Sequence, residues 1–210
     1  DFLHFTNLLI VESLNRVFPP LSGSVNGIIF KDYIMKFIES LLRGKFFPSQ
    51  VVKTKRSEKL AVGIIGTGKI GADLLAKVQR SAQLECVLFA GRNLDSPGMQ
   101  YARDLGVKIS DKGINAFLDA ANRCDIVFDA TSAAYHKEHA KLFEELGILA
   151  IDMTPSQIGE CCVPALGMNE ALENRNISMI SCGGQSSIPI AHVLARYIPE
   201  VKKISVSSTV

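Results

Sequence analysis

Two short segments carry residues equipped for chemistry. Ser181-Cys182-Gly183-Gly184-Gln185 places a thiol between an apolar run, Ile177 to Ile180, and a stretch with helical character, Ser186 to Tyr197. A cysteine where a strand meets a helix N-terminus finds unpaired N–H donors and the positive end of the helix dipole. Both stabilise a thiolate and suit it to nucleophilic attack. Gly183 and Gly184 permit close approach of substrate, and their N–H groups are placed to hold an oxyanion. Pro189 falls within the first turns of that helix, where a missing donor costs little. The competing reading of Cys182 is a buried small residue, the usual fate of a free cysteine. The second segment, Gly66-Thr67-Gly68-Lys69-Ile70-Gly71, follows the apolar run Leu60 to Ile65 and opens the amphipathic stretch Lys69 to Arg80. Glycines in this spacing serve a tight turn, close backbone approach to a pyrophosphate, and close helix–strand packing, with the phosphates at the helix N-terminus. A nucleotide site and a helix-capped thiol in one chain point to covalent, cysteine-based aldehyde oxidoreduction.

The cofactor cannot be chosen between NAD and NADP from these residues. An NAD site ordinarily has Asp or Glu about 20 residues after the turn, for the ribose hydroxyls. That neighbourhood reads Ala90-Gly91-Arg92-Asn93-Leu94-Asp95. Arg92 is suited to a 2′-phosphate, Asn93 or Asp95 to the NAD ribose, and a solvated loop cation is an equal reading of Arg92. Further on, Asp129-Ala130-Thr131-Ser132-Ala133 closes another strand, so Thr131 and Ser132 either touch cofactor beyond the strand ends or cap the next helix.

These residues need a scaffold, and the rest of the chain supplies its outline. Strands are expected over 60–65, 85–90, 126–129, 148–152 and 177–180, with helices over 69–80, 99–105, 113–122, 136–146 and 186–197. Such alternation predicts an α/β fold, a Rossmann-type doubly wound, mostly parallel sheet. Residues 1–57 read as a short, mainly helical extension and linker without a chemical motif, 58–201 as the dinucleotide-binding domain, and 202–210, alternating like a strand, as the start of a further domain.

Composition narrows the function classes. The 210 residues are 47% hydrophobic and 21% charged with a net charge of +2, ordinary for a globular protein and without the basic stripe of a nucleic-acid binder. No apolar run approaches the ~20 residues of a membrane span. The five cysteines have no disulfide-scaffold spacing, and reduced thiols in a cytoplasmic setting are expected. Cys86 and Cys124 fall in or beside strands as packing residues, and the adjacent pair Cys161-Cys162 is a poor metal or redox motif. His136 and His139 share a helix face but have no third ligand, so no metal site is read and a solvated helix surface is expected for them.

Four segments in order carry a resemblance: Val62 to Gly71, Phe128 to Ala133, Ile151-Asp152-Met153-Thr154-Pro155, and Ser181 to Pro189. Together they resemble the acylating acetaldehyde dehydrogenases, which turn acetaldehyde, NAD and coenzyme A into acetyl-CoA. The resemblance covers residues 58 to 210 and implies that Cys182 is the acyl-thioester cysteine and that Thr67 to Ile70 form the nucleotide-binding turn. It also implies coenzyme A as co-substrate and, as partner, a 4-hydroxy-2-oxovalerate aldolase in the degradation of aromatic compounds. Members of that family carry a second, C-terminal domain, and this chain ends about where it begins; the polypeptide is therefore expected to be an incomplete, weakly active or inactive form. A related semialdehyde or acyl-phosphate reductase and a catalytically silent dinucleotide-binding module are the alternatives.

Overall fold

The computed structural model describes residues 59–167, 171–198 and 200–207. The helical extension read over 1–57 lies outside them. From Leu60 the chain runs through β1 (Leu60–Ile65), α1 (Lys69–Gln79), β2 (Leu84–Ala90), α2 (Pro97–Asp104), β3 (Ile109–Ser110) and two 3-10 segments (Gly113–Leu118, Ala120–Asn122). It continues through β4 (Ile126–Asp129), α3 (Ala133–Glu145), β5 (Leu149–Asp152), β6 (Glu160–Cys161), a 3-10 turn (Ala171–Glu173), β7 (Asn176–Ser178) and α4 (Cys182–Tyr197). Among the described residues the strands form one seven-stranded sheet in the order β3-β2-β1-β4-β5-β7-β6, all neighbours parallel. The winding reverses between β1 and β4, the switch point of a Rossmann-type doubly wound fold.

The strands read as apolar runs because helices cover both faces of the sheet. Leu88 and Ala90 of β2 join Ile65, Val127 and Ala150 in a core capped by Phe117 and Phe143, whose rings meet edge to face at 5.3 Å. The intervening Phe89 turns to the opposite face, where α1 packs with its buried stripe Gly71, Leu74, Leu75 and Val78. That i, i+3, i+4, i+7 spacing is what an amphipathic helix on a sheet requires. α2 starts where Ser96 accepts a hydrogen bond from the Met99 N–H and Pro97 opens the first turn.

Several elements depart from the sequence expectation. The stretch 113–122 is two 3-10 pieces, because Asp119 leaves the helical region and its carboxylate accepts from the Ala121 N–H. The strand expected over 177–180 ends at Ser178, since Ile180 has φ +64° and turns the chain out of the sheet. The last helix starts at Cys182 rather than Ser186, with Ser181 as its N-cap. Residues 202–207 form no strand; extended backbone becomes a strand only against a partner, and none pairs with it among the described residues. Strands β3 and β6 have two residues each, too few for an alternating pattern. No described helix is long and apolar enough to cross a membrane.

Gly71 is the closest approach between helix and turn: a Cβ there would lie 1.8 Å from the Gly66 carbonyl oxygen. Gly71→Ala is therefore expected to destabilise the domain by about 1–3 kcal/mol, the usual cost of overpacking, read as a lowered denaturant midpoint, and to lose dinucleotide binding with it.

Candidate active site

Except for those inside α1 and for Cys182, which opens α4, the sequence-predicted site residues lie in loops leaving the carboxyl edge of the parallel sheet, where ligands of such sheets bind. The turn after β1 passes through Gly66 at φ +104°, a conformation open to glycine. A Cβ on Gly66 would meet the Ala130 carbonyl oxygen at 2.5 Å and the Thr131 nitrogen at 3.0 Å. The β1 and β4 loops thus abut, with Thr131 beside the glycine turn, while Ser132 stands at the N-cap position of α3 without a side-chain cap bond.

Gly68 differs from its neighbours. Nothing lies within 4 Å of a Cβ built there, so no packing within the chain demands glycine. Gly68, Lys69 and Ile70 are exposed, and α1 begins without a side-chain cap or an acidic residue in its first turn. An open cradle at an uncapped helix N-terminus fits the pyrophosphate of a dinucleotide. The Thr67 side chain is turned the other way: a Cβ on Gly91 would meet its methyl at 2.4 Å, and its hydroxyl accepts from Ser96 Oγ at 3.1 Å. Thr67 therefore ties the glycine turn to the loop after β2.

In that loop Arg92 Nη1 donates to the Tyr135 hydroxyl at 2.9 Å, with the guanidinium 4.9 Å from the ring centroid. Arg92 is held by α3 rather than free in solvent. Asn93 is committed to its own turn, accepting from the Asp95 N–H at 2.9 Å.

Sequence reasoning missed the group that organises this edge. Asp129 and Asp152 end adjacent strands in register, and neither is exposed to solvent. His136 and His139, expected on a solvated surface, are buried: with Phe143 they form the i, i+3, i+7 stripe of α3 that faces the sheet. Nδ1 of each histidine approaches Asp129 Oδ2 at 2.8 Å, and the Thr131 hydroxyl donates to Oδ1 at 2.5 Å. His136 Nε2 faces Asn176 Oδ1 at 3.3 Å and Asp152 Oδ2 at 3.6 Å. Asp152 also accepts from the Thr154 N–H at 2.7 Å and the Ser156 hydroxyl at 2.5 Å.

Burial alone would raise the Asp129 carboxyl, but hydrogen bonds from His136, His139 and Thr131 outweigh it and hold the group well below the usual carboxylate range. Burial likewise disfavours imidazolium at His136, yet the Asp129 hydrogen bond and the Asp152 and Asp129 charges push it above its ordinary value. The detectable signal was two aspartates ending two apolar strands and a histidine pair on the helix between them.

The cysteines separate by environment. Burial pushes Cys86 and Cys124 up to about 12, and burial with the Glu160 charge pushes Cys162 up to about 11. Cys161 and Cys182 are exposed. Cys161 sits on strand β6, whereas Cys182 is the first residue of α4, directly after its cap. The Gly184 N–H, one of two expected oxyanion donors, is already given to Ser181 Oγ at 3.0 Å. Cys182 and Gly183 remain as first-turn N–H groups without an intrahelical acceptor. Pro189 lies inside α4, beyond its first turns, and withholds the N–H that would reach the Gln185 carbonyl. Strands β1 and β7 are three positions apart in the sheet, about 14 Å between strand axes, and the glycine turn and Cys182 follow their carboxyl ends on the same edge.

Residues 61–157 match the family described as semialdehyde dehydrogenase, NAD binding domain. An acetaldehyde dehydrogenase of Pectobacterium atrosepticum is 52% identical over 159 residues, 75% of this chain and 54% of that protein. One of Streptomyces griseus is 49% identical over 153 residues, 73% of this chain and 49% of that one. The chain spans about half the length of the curated relatives it matches. Among solved structures, a myo-inositol dehydrogenase from Corynebacterium glutamicum aligns with a TM-score of 0.48 at 17% identity over 66% of this chain and 40% of its own.

Two outcomes follow from this geometry. Gly68→Ala is expected to leave stability within about 0.5 kcal/mol while weakening NAD binding at least about tenfold, a loss of about 1.4 kcal/mol, measured by calorimetric titration. The buried charge cluster sets a pH window. The part of stability from His136, whose folded value is raised, is complete below about pH 6.5 and lost as pH rises from there through the raised folded value; the part from Asp129, whose folded value is lowered, is complete above about pH 4 and lost as pH falls through the lowered folded value. Melting temperature against pH should peak between these limits, and Asp129→Asn should flatten both limbs.

Proposed function

We propose, on the premise that residues 61–157 form a semialdehyde dehydrogenase NAD-binding domain homologous to that of the acetaldehyde dehydrogenases, that the chain supplies the cofactor lobe and nucleophile of an acylating aldehyde dehydrogenase. The observation that carries this reading is the exposed thiol of Cys182 at the N-terminus of α4, on the sheet edge that also bears the glycine turn.

In this reading the N–H groups at Gly68 to Ile70 and the α1 dipole hold the pyrophosphate. Thr131, beside the glycine turn, and Ser132 would border the same cleft, and Arg92, held on Tyr135, would be available to the adenosine end. Cys182 Sγ adds to the aldehyde carbon as the carbonyl π pair moves to oxygen, which takes a proton. The Cys182 and Gly183 N–H groups stabilise the charge developing on that oxygen. NAD, when bound, would supply the hydride acceptor; the hemithioacetal carbon would give up its hydride while its hydroxyl proton leaves to solvent. The acyl group is then a thioester on Cys182, and attack by the thiol of coenzyme A gives acyl-CoA and returns the Cys182 thiol. Inorganic phosphate in place of coenzyme A would make the chain a semialdehyde-type reductase, the reading that the matched domain also supports.

The experiment is mass spectrometry of the chain after incubation with acetaldehyde and NAD without coenzyme A, beside a Cys182→Ser control. An acetyl group mapped to Cys182, absent from the control and discharged by coenzyme A but not by phosphate, is expected. Retained NAD binding with no adduct would reduce the chain to a dinucleotide-binding module.

A further inference from the structure

We propose that Gln185 is a positioning residue for the Cys182 thiol: its side-chain amide braces the turn at Ile180 and thereby fixes the first turn of α4 against the sheet. The inference rests on the reading of Cys182 as the nucleophile.

Burial alone does not hold α4 in place. None of its residues is buried, although it carries the reactive thiol at its first position. α4 is half-buried along one side at most, whereas α1 is fixed through the buried Leu74, Leu75 and Val78, so apolar packing constrains the first turn of α4 less. Pro189 deepens the problem by withholding an N–H from the Gln185 carbonyl, so the first turn is joined to the rest of the helix by one bond fewer.

The chain enters this helix through an unfavourable conformation. Ile180 has φ +64°, a region that β-branched residues rarely adopt, and it stands two residues before Cys182. Such a turn persists only when its surroundings over-determine it. The Ile180 N–H donates to Ser178 Oγ at 3.2 Å. Gly184 allows the helix turn to close over it, since a Cβ there would meet Ile180 Cγ2 and Ser181 Oγ, each at 3.2 Å.

Gln185 closes the loop. Its Nε2 donates to the Met179 carbonyl at 2.9 Å, immediately before the strained residue, and to the Cys162 carbonyl at 2.6 Å, just beyond β6. The Cys162 N–H in turn donates to the Ser178 carbonyl at 2.8 Å. One amide thus ties the helix turn to both strand ends beneath it. Only a side chain with two donors on one nitrogen, at this distance from the backbone, makes both contacts; glutamate lacks the donors and methionine matches only the length.

The test reads alkylation of Cys182 by iodoacetamide in the full chain, resolved by peptide mapping, with NAD binding and circular dichroism as checks of the fold. Gln185→Met should slow Cys182 alkylation about tenfold, as the thiol leaves the helix-terminal donors, and slow acyl transfer from acetaldehyde by about a hundredfold. Ile180→Gly alone should leave alkylation within about twofold of the parent, since glycine takes a positive φ without penalty. Ile180→Gly added to Gln185→Met should recover most of the lost rate, a rescue that general damage to the fold would not produce. Parental alkylation in Gln185→Met, a double variant no faster than Gln185→Met, or Ile180→Gly alone as slow as Gln185→Met overturns the inference. Where Gln185→Met does not fold, the Ile180→Gly comparison and the double variant decide. These alkylation effects without any acyl adduct in the parent would defeat the nucleophile reading and leave the brace standing.

Discussion

A carboxylate without solvent exposure, Asp129 at the end of β4, has to be compensated by groups arriving from elsewhere in the chain. An unpaired charge at such a depth would cost several kcal/mol. The compensation comes from two histidines of α3 and from the hydroxyl and N–H of Thr131. This requirement orients α3, because its histidine stripe must face the strand ends. It also pulls the Thr131 loop back, which keeps Ala130 against Gly66 and fixes the wall of the nucleotide cleft. Asp152 stands beside Asp129 on the next strand, and His136 lies between the two carboxylates. His136 thus bridges the β4 and β5 ends, and the two carboxylates beside it favour its charged form. Removing one partner from a buried pair typically costs about 3–5 kcal/mol, a large share of a stability of about 5–15 kcal/mol.

The thiol end of the same edge is built on the opposite principle. No residue of α4 is fully buried, so local hydrogen bonds carry a larger part in holding its first turn than they do in α1. A strained residue such as Ile180 costs about 1–3 kcal/mol. Each net hydrogen bond returns about 0.5–1.5 kcal/mol, and the turn has bonds from Ile180, Gly184 and the Gln185 amide. The four bonds together outweigh the strain. Without the two made by Gln185 the sides would be of similar size, so the aim of Cys182 depends on that one side chain.

The glycine turn divides its labour in a way that bears on ligand binding. Gly66 and Gly71 are demanded by the chain itself, one by positive φ and contact with Ala130, the other by contact with the Gly66 carbonyl. Gly68 meets no such demand. A glycine without an internal reason, at the mouth of an uncapped helix, is what the proposed approach of a phosphate to the backbone would require. Thr67 serves the same site indirectly, linking the turn to the loop that carries Arg92.

The glycine turn, the strands β1 and β4 to their end residues, and a cysteine opening a late helix were legible in the sequence, because each depends on neighbours along the chain: runs of apolar residues, a G-x-G-x-x-G spacing, a serine before a helix. The two-residue strands were not, since pairing alone makes them strands. Nor was the burial of His136 and His139, whose spacing is that of a core stripe but whose type suggests solvent; the aspartate that makes their burial tolerable comes from a different element. The same limit hid the Gln185 contact with Cys162 and the Arg92 contact with Tyr135, which join residues that the chain order keeps apart. By itself the sequence determined the α/β alternation and the two segments with chemical character, through local periodicity and turn chemistry. Only the tertiary structure decided which groups those segments meet, because desolvation and hydrogen-bond geometry act between residues that long-range strand pairing brings to one edge.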